Sequence, residues 1–276
     1  MQTNELKTIA MERRLDVLEV VMRSKSGHIG GAMSGLDILV SLYYVIMDVE
    51  KIKRQDPDRD RFVMSKGHCG DSLYTVLADC GFFAKELLET YAAFDTILAE
   101  HPTKKVPGVE MATGALGHGL PLAVGMAIAC KNDASPANVY VFMGDGEQAE
   151  GSNWEAAMAA SKYGLGNLTA VIDRNYLQIS GSTEEVMPID NLAAKYSAFG
   201  WQVKECDGHE PAEIIEAISA ERLADQPLLV IARTTKGYGS AVMANKASWH
   251  HKTPSQEEYK QIKADLQEQI RGLRHD

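Results

Sequence analysis

The sequence is poor in cysteine, in basic residues relative to acidic ones, and in long hydrophobic runs. Its four cysteines, at positions 69, 80, 130 and 206, show no paired short spacing, which argues against a disulfide framework or a zinc motif and favours a cytoplasmic location. Acidic residues number 38 against 28 basic ones, giving a formal net charge of −10. This balance argues against nucleic acid or an anionic membrane as a partner.

The most apolar stretch, residues 38–47, is too short to cross a bilayer and is expected to form a buried helix. Residues 1–20 are expected to form an N-terminal amphipathic helix carrying charges of both signs. They contain no apolar core of the signal-peptide kind. The sequence therefore predicts no membrane contact.

What the sequence does contain is a regular alternation of short apolar runs with helical patterns. The runs that predict strands are residues 61–65, 139–143, 168–173, 201–206 and 227–235. This alternation predicts an α/β fold, with a mostly parallel sheet that carries helices on both faces. Residues 1–276 are expected to form a single domain, in which residues from about 254 to 276 are a charged helical tail.

The strongest chemical signal is the turn GDG at the end of the run VYVFM. Asp145 stands there between two glycines, and Asn175 follows the next predicted strand in the same way. Both turns are expected at the carboxyl edge of the sheet, where such folds bind ligands. Oxygens from Asp145, Asn175 and the main-chain carbonyl of Leu177 suit a Mg²⁺ ion that shares its shell with phosphate oxygens. GDG alone would indicate only a tight turn, but the second polar turn favours the metal site.

The segment after this turn is predicted to begin a helix. Ser152 and Glu155 have the spacing of a capping box, and the helix is expected to run to about Gly164. The acidic turn is therefore a loop between the end of a strand and the start of a helix.

Taken together, the motifs resemble those of transketolases, and most closely the separately encoded N-terminal subunit of split transketolases. GDG is followed by EG at 150–151 and by N-x-L-Q-I-x-G after the next strand. Further motifs occur in the family's order: KSGHIGG (25–31), SKGH (65–68), HP (101–102), PGVEMATGALGHG (107–119), TTKGYG (234–239) and WH (249–250). Several ordered motifs over nearly the whole chain make this resemblance specific.

The resemblance implies a role for each of these residues. Mg²⁺, or Ca²⁺ or Mn²⁺ in its place, would be bound by Asp145, Asn175 and the Leu177 carbonyl. The cofactor thiamine diphosphate would be contacted by His68, Gly114, Leu116, Gly146, Glu150, Asn175, Lys236 and His250. The catalytic histidines would be His28, His68, His101 and His250, since imidazole can exchange protons near neutral pH. His209 receives no role, and His251 is expected to be solvated.

The resemblance also implies half of a two-chain enzyme. The activity would be transfer of a two-carbon ketol unit from a ketose donor to an aldose acceptor, with the sugars left open. In full-length relatives a second, pyrimidine-binding domain supplies the glutamate that activates the cofactor, and this sequence is expected to lack that domain. Glu147 and Glu150 lie at the wrong end of the cofactor for this task. A C-terminal partner subunit, an α2β2 assembly and inactivity of the chain alone are therefore expected.

Two departures keep other interpretations open. His118 stands where the family usually has glutamine. Ile29 replaces a proline of full-length transketolases, and isoleucine is common there both in the split subunits and in the related deoxyxylulose-phosphate synthases. The alternatives are such a synthase, the α subunit of a 2-oxo-acid dehydrogenase, a non-catalytic regulatory subunit, and an unrelated Mg²⁺-dependent phosphate enzyme. The histidine motifs argue against the dehydrogenase, and the retained polar positions argue against a non-catalytic subunit.

Overall fold

The centre of the fold is a parallel sheet. A computed structural model describes residues 1–223 and 225–275 of the chain. Within these residues the strands are β1 (Arg61–Met64), β2 (Val139–Gly144), β3 (Leu168–Arg174), β4 (Gln202–Asp207) and β5 (Leu228–Arg233). They lie in the order β1-β2-β3-β5-β4, and every pairing is parallel. The predicted fold class is confirmed.

Helices cover both faces of this sheet. They are α1 (Thr3–Ser24), α2 (Ile29–Ser41), α3 (Val49–Lys53), α4 (Gly70–Asp79), α5 (Gly119–Asn132), α6 (Gly151–Lys162), α7 (Thr183–Val186), α8 (Leu192–Ala198), α9 (Pro211–Ile218) and α10 (Gln256–His275). Alternate strand residues point into two separate apolar cores, so Phe142 packs with α1, α2 and α4 while Val141 packs with α5 and α6. Because both faces are covered, the strand β3 is buried along its whole length.

Helix α2 is the most apolar element and continues into a π-helical turn, Leu42–Ile46. The continuous segment Ile29–Ile46 is longer than residues 38–47 alone suggested, and its length and composition would suffice to cross a membrane. In the fold, 83% of this segment is buried inside the protein. It therefore serves as a core helix between the sheet and α1.

Helix α10 packs against α1 and braces a loop beside the sheet. Its buried stripe is Ile262, Leu266 and Ile270, at the i, i+4 spacing of one helix face. Gln269 Nε2 donates to the Gly239 carbonyl at 2.6 Å, while Ser240 Oγ donates to an Asp265 carboxylate oxygen at 2.5 Å. The last helix thus fixes residues 239–240, which lie within the loop that follows β5.

The strand register brings four loops together at the carboxyl edge of the sheet. Phe142 of β2 pairs with Met64 of β1, and Gly144 pairs with Asp173 of β3. Asp173 in turn pairs with Ala232 of β5. The residues that immediately follow β1, β2, β3 and β5 therefore meet at one place, which is where the polar motifs lie.

Candidate functional site

A cavity of about 260 Å³ opens at this edge of the sheet. Its lining includes many of the predicted site residues: His68, Leu116, Asp145, Gly146, Glu150, Asn175, Leu177, Lys236 and His250. His28, His101 and Gly114 are not lining residues but lie next to them. The ring centroid of His28 is 5.2 Å from that of His68 and 5.9 Å from that of His101, and a Cβ added to Gly114 would lie 2.6 Å from the His101 ring. The structure therefore gathers the predicted residues in one region.

Asp145 presents its carboxylate at the end of β2. Its two oxygens accept hydrogen bonds from the backbone N–H of Gly146 at 2.7 Å and of Tyr176 at 2.6 Å. The Arg174 guanidinium lies 3.4 Å away. Burial, reinforced by the Asp173 carboxylate, raises the pKa of Asp145 to about 6. A bound cation would counter this effect, because opposite charge favours the ionised carboxylate.

The turn after β3 supplies the other predicted metal-binding oxygens. The Asn175 side-chain oxygen accepts the Leu177 N–H at 3.2 Å, and the Asn175 amide donates to Asp173 at 3.2 Å. The Leu177 carbonyl accepts a hydrogen bond from Lys236 Nζ at 3.1 Å. Because Tyr176 N bonds to Asp145, this turn is held directly against the GDG turn.

The cavity also fits the diphosphate of a cofactor. The ammonium groups of Lys66 and Lys236 lie at its base, where anionic oxygens would find positive charge. Among the described residues, Gln178 Nε2 is a buried donor with no hydrogen-bond partner, and Gln178 lines the cavity. A Cβ on Gly146 would lie 3.0 Å from the Gln178 side chain, so glycine keeps this approach open. The positive charge of the two lysines, the free Gln178 donor and the unobstructed backbone at Gly146 together suit a phosphate group.

A buried ion pair that the sequence did not reveal forms the floor of the cavity. Lys66 Nζ pairs with the Asp173 carboxylate and donates to the Gly31 carbonyl at 3.0 Å. The same carboxylate accepts hydrogen bonds from Ser34, at 2.6 Å, and from Thr234. Burial opposes the charged form of each partner, but their attraction outweighs it and moves the pKa of Lys66 up and that of Asp173 down. The pair thus joins the ends of β1, β3 and β5 to α2.

The Glu147 carboxylate holds together the loops that contain Gly117 and Gly144. Its carboxylate accepts the backbone N–H of Gly117 and of Gly144, each at 3.0 Å, and the hydroxyl of Ser65. Gly117 has φ +81, and a Cβ there would lie 2.5 Å from the Glu150 Cβ, so the position requires glycine. Glu147 thereby fixes the loop that carries Leu116 into the cavity.

The predicted capping box is wrong. Helix α6 begins at Gly151, and its N-cap residue Glu150 makes no side-chain cap. The Ser152 hydroxyl donates instead to the Gly117 carbonyl at 2.7 Å, because the 114–119 loop packs over the start of this helix. The Ser152 hydroxyl, which the local sequence pattern predicted to cap its own helix, thus bonds to a residue that is distant in the sequence.

Five histidine rings form a cluster at the side of the cavity. His28 is central, with its ring centroid 5.5 Å from that of His250 and 4.5 Å from that of His251. His68 and His250 stack at 5.4 Å, and His101 lies on the far side of His28. His251 is partly exposed, as expected for a solvated residue, but its contact with His28 was not foreseen.

Three of these histidines, His28, His68 and His250, are held in the neutral form. Burial lowers the pKa of His28 to about 4, with further contributions from His251, His101 and Lys236. Burial and then the Lys236 charge lower the pKa of His250 to about 3, and Lys236 Nζ lies 3.0 Å from His250 Nδ1. The pKa of His68 also falls well below its ordinary value through burial and the nearby Lys66. Neutral imidazoles can accept protons from a substrate.

His209, which received no role from the sequence, braces the loop that carries Lys236. His209 Nδ1 is 2.8 Å from Asp37, and its Nε2 accepts the Thr235 N–H at 2.8 Å. Its ring stacks on Tyr238 with centroids 3.6 Å apart. The D-G-H stretch after β4 was the sequence signal that could have suggested a role for His209. Its hydrogen-bond partner Asp37, however, lies in α2, far away in the sequence.

The comparisons with known proteins agree with one another on a single protein family. The profile described as transketolase, thiamine diphosphate binding domain, matches residues 5–269. An apulose-4-phosphate transketolase subunit from Phocaeicola vulgatus is 47% identical over 274 residues, which cover 99% of this chain and 98% of that protein. A 6-deoxy-6-sulfo-D-fructose transketolase subunit from Clostridium sp. is 39% identical over 254 residues, or 91% of this chain and 92% of that protein.

Full-length transketolases match over less than half of their length. Transketolase from Homo sapiens is 36% identical over 268 residues, which cover 97% of this chain but 43% of that protein. The crystal structure of transketolase from Campylobacter jejuni superimposes with a TM-score of 0.88 at 27% identity, covering 99% of this chain and 46% of that one. The similarity therefore extends across this chain but not across those longer proteins.

The Lys66–Asp173 pair leads to a prediction about stability. Replacing Lys66→Met leaves a buried carboxylate without its partner, so the free energy of unfolding should fall by about 3–5 kcal/mol. The double variant Lys66→Met/Asp173→Leu should recover only part of that loss, because it leaves Ser34, Thr234 and Asn175 without their acceptor. Urea denaturation measures both, with Glu205→Gln, which breaks an exposed ion pair, expected to cost less than about 1 kcal/mol. A Lys66→Met loss no larger than that of Glu205→Gln would contradict this account.

The neutral histidines lead to a prediction about pH. The unfolded chain takes up protons below about pH 6.5, whereas folded His28, His68 and His250 do not, so stability should fall as the pH is lowered from about 6.5 towards 4. His250→Asn removes one such group, and its stability should fall less steeply over this range. Urea denaturation at a series of pH values tests this, with exposed His275→Asn as the control. Equal slopes for His250→Asn and the parent chain would refute it.

Proposed function

The chain belongs to the family of transketolase, thiamine diphosphate binding domains, and we propose that it is the N-terminal subunit of a two-chain transketolase. The reaction is transfer of a two-carbon ketol unit from a ketose to an aldose. One observation carries this proposal: the polar turns at Asp145 and Asn175 adjoin the histidine cluster at a single cavity. The first set suits a metal and a diphosphate, and the second suits a polyhydroxylated substrate.

Asp145, the Asn175 side-chain oxygen and the Leu177 carbonyl are the proposed Mg²⁺ ligands. Their support is the shared cavity and the hydrogen bond that holds the two turns together. One carboxylate and two neutral oxygens leave room in an octahedral shell for phosphate oxygens and water. Gly146 and Gln178 are placed to meet the same phosphates.

Bound thiamine diphosphate supplies the nucleophilic carbon and the electron sink that ketol transfer requires. The chain's own residues position this group and handle protons. Leu116 and Glu150 line the end of the cavity proposed for the aminopyrimidine, and the Gly114 backbone lies in the same loop as Leu116. His28, His68, His101 and His250 face the substrate. Burial and then the charge of Lys236 keep His250 neutral, so that its ring can accept a proton from a substrate hydroxyl.

A second polypeptide completes the proposed enzyme. The relatives that are named as transketolase subunits match this chain over nearly their whole length, which supports a companion chain that carries the pyrimidine-binding domain. We propose an α2β2 assembly, in which this chain contributes one domain. The relatives' names support a ketose with an anionic group, phosphate or sulfonate, as donor. All four cysteines are free thiols, which supports a reducing, cytoplasmic location.

The metal assignment predicts the effect of one substitution. Asp145→Ala removes the only charged ligand, so the affinity for thiamine diphosphate with Mg²⁺ should fall by about 100-fold or more, since even residues that merely hold a ligand contribute 10- to 100-fold. Calorimetry on the reconstituted two-chain complex measures this. Asp133→Ala, an exposed acidic position at the end of α5, is the matched control. Equal affinity in both variants would exclude Asp145 as a ligand.

The proposed division of labour predicts that this chain alone has no turnover. Ketol transfer should appear when a companion chain that carries the pyrimidine-binding domain is added. A coupled assay with a ketose phosphate donor and an aldose acceptor measures the rate for each chain alone and for the mixture. Rapid transfer by the isolated chain would rule out the two-chain assignment.

A further inference from the structure

A second set of metal-binding side chains lies at the outer side of the histidine cluster. One ligand atom each from His28, Glu100 and His251 lies within 4.8 Å of the others. Glu100 and His251 approach to 4.0 Å, and the rings of His28 and His251 are 4.5 Å apart. We propose that these three residues bind a first-row transition cation such as Zn²⁺, at a site that shares no ligand with the Mg²⁺ site.

The ligand types select this class of cation. Two imidazole nitrogens and one carboxylate suit Zn²⁺, Ni²⁺ or Cu²⁺, whereas Mg²⁺ prefers an all-oxygen shell. Among the described residues, His28 Nδ1 is buried and has no hydrogen-bond partner. This unpaired nitrogen is an independent sign that the ring is placed for a ligand.

The backbone around the three residues is tightly fixed. A Cβ added to Gly30, two residues after His28, would lie 2.5 Å from the Trp249 carbonyl. A Cβ on Gly70 would lie 2.5 Å from the Glu100 carbonyl. The first contact holds the segments of His28 and His251 against each other, and the second holds Glu100 against the start of α4.

The side chains can close around an ion. Tetrahedral Zn²⁺, with bonds of about 2.0–2.1 Å, needs ligand atoms roughly 3.3 Å apart, a little closer than the separations here. Glu100 and His251 are both partly exposed, so rotation of their side chains can supply that movement. Glu100 is the one carboxylate of the set and supplies the negative charge for a bound cation.

Occupation of this site has a consequence for the reaction. His28 cannot bind both a cation and a sugar hydroxyl through the same nitrogen. The cation would therefore compete with substrate and inhibit ketol transfer. This consequence rests on the proposed function, whereas cation binding itself does not.

Binding is tested on the isolated chain without thiamine diphosphate or Mg²⁺. Titration with Co²⁺ should give visible absorption bands that saturate at one equivalent, and Zn²⁺ should abolish them. His251→Ala and Glu100→Gln should each weaken Co²⁺ binding by about 10-fold or more. His275→Ala and Asp133→Ala, which lie outside both cation sites, should bind as the parent does, and circular dichroism confirms that every variant is folded.

Two results would overturn the proposal. One is a parent chain that binds Co²⁺ no more tightly than the double variant Glu100→Gln/His251→Ala. The other is binding that survives in His251→Ala but is lost in His250→Asn, which would assign the ion to the stacked pair of His68 and His250.

The inhibitory consequence is tested in the reconstituted complex. Zn²⁺ should inhibit ketol transfer by the parent and should inhibit the His251→Ala variant only at concentrations about 10-fold higher. Equal inhibition of the two would reject competition at this site. Absence of ketol transfer without Zn²⁺ would instead reject the proposed function, while the Co²⁺ titration would still decide the binding site.

Discussion

The structure of the site depends on the ion pair of Lys66 and Asp173. Placing two opposite charges in a protein interior costs desolvation free energy, and an apolar pair of similar size is often at least as stable. The pair is better explained by what it positions. Asp173 accepts hydrogen bonds from Asn175, Thr234 and Ser34, so a single carboxylate sets the relative positions of three loops and one helix. The polar turns can then meet at fixed spacing.

Local sequence patterns were sufficient to predict the framework, the family and the cofactor. The alternation of short apolar runs with helical patterns predicted the parallel sheet. The family and the cofactor, which were inferred from the motifs, are confirmed by the match over residues 5–269. Those motifs are contiguous in sequence, so each could be read by itself. The supporting contacts could not, because Lys66 and Asp173 are 107 residues apart in the chain. Ser152 shows the same limit, since its hydroxyl bonds to the distant Gly117 rather than within its own helix turn.

In the histidine cluster, burial and nearby charge together determine which side chains are charged at this edge of the sheet. Positive charge is concentrated on Lys66 and Lys236, at the base of the cavity. Burial, reinforced by these charges, keeps the adjacent imidazoles His68 and His250 uncharged, because a second cation nearby is unfavourable in a low-dielectric site. One arrangement therefore provides both an attractive base for phosphate oxygens and neutral proton acceptors beside it. Neither property could be assigned from the histidine motifs alone, since each depends on depth below the surface.

Helix α10 contributes no residue to the lining of the cavity, yet it holds the segment from which Lys236 projects. Gln269 and Asp265 bond to residues 239–240 from outside, and Leu266 packs against the face of Gly239. Helix α10 therefore helps to hold the Lys236 ammonium group in place through contacts with another part of the same loop. Sequence drift in that surface helix would be expected to alter how firmly the vitamin-derived coenzyme is retained, even though the helix lies outside the cavity.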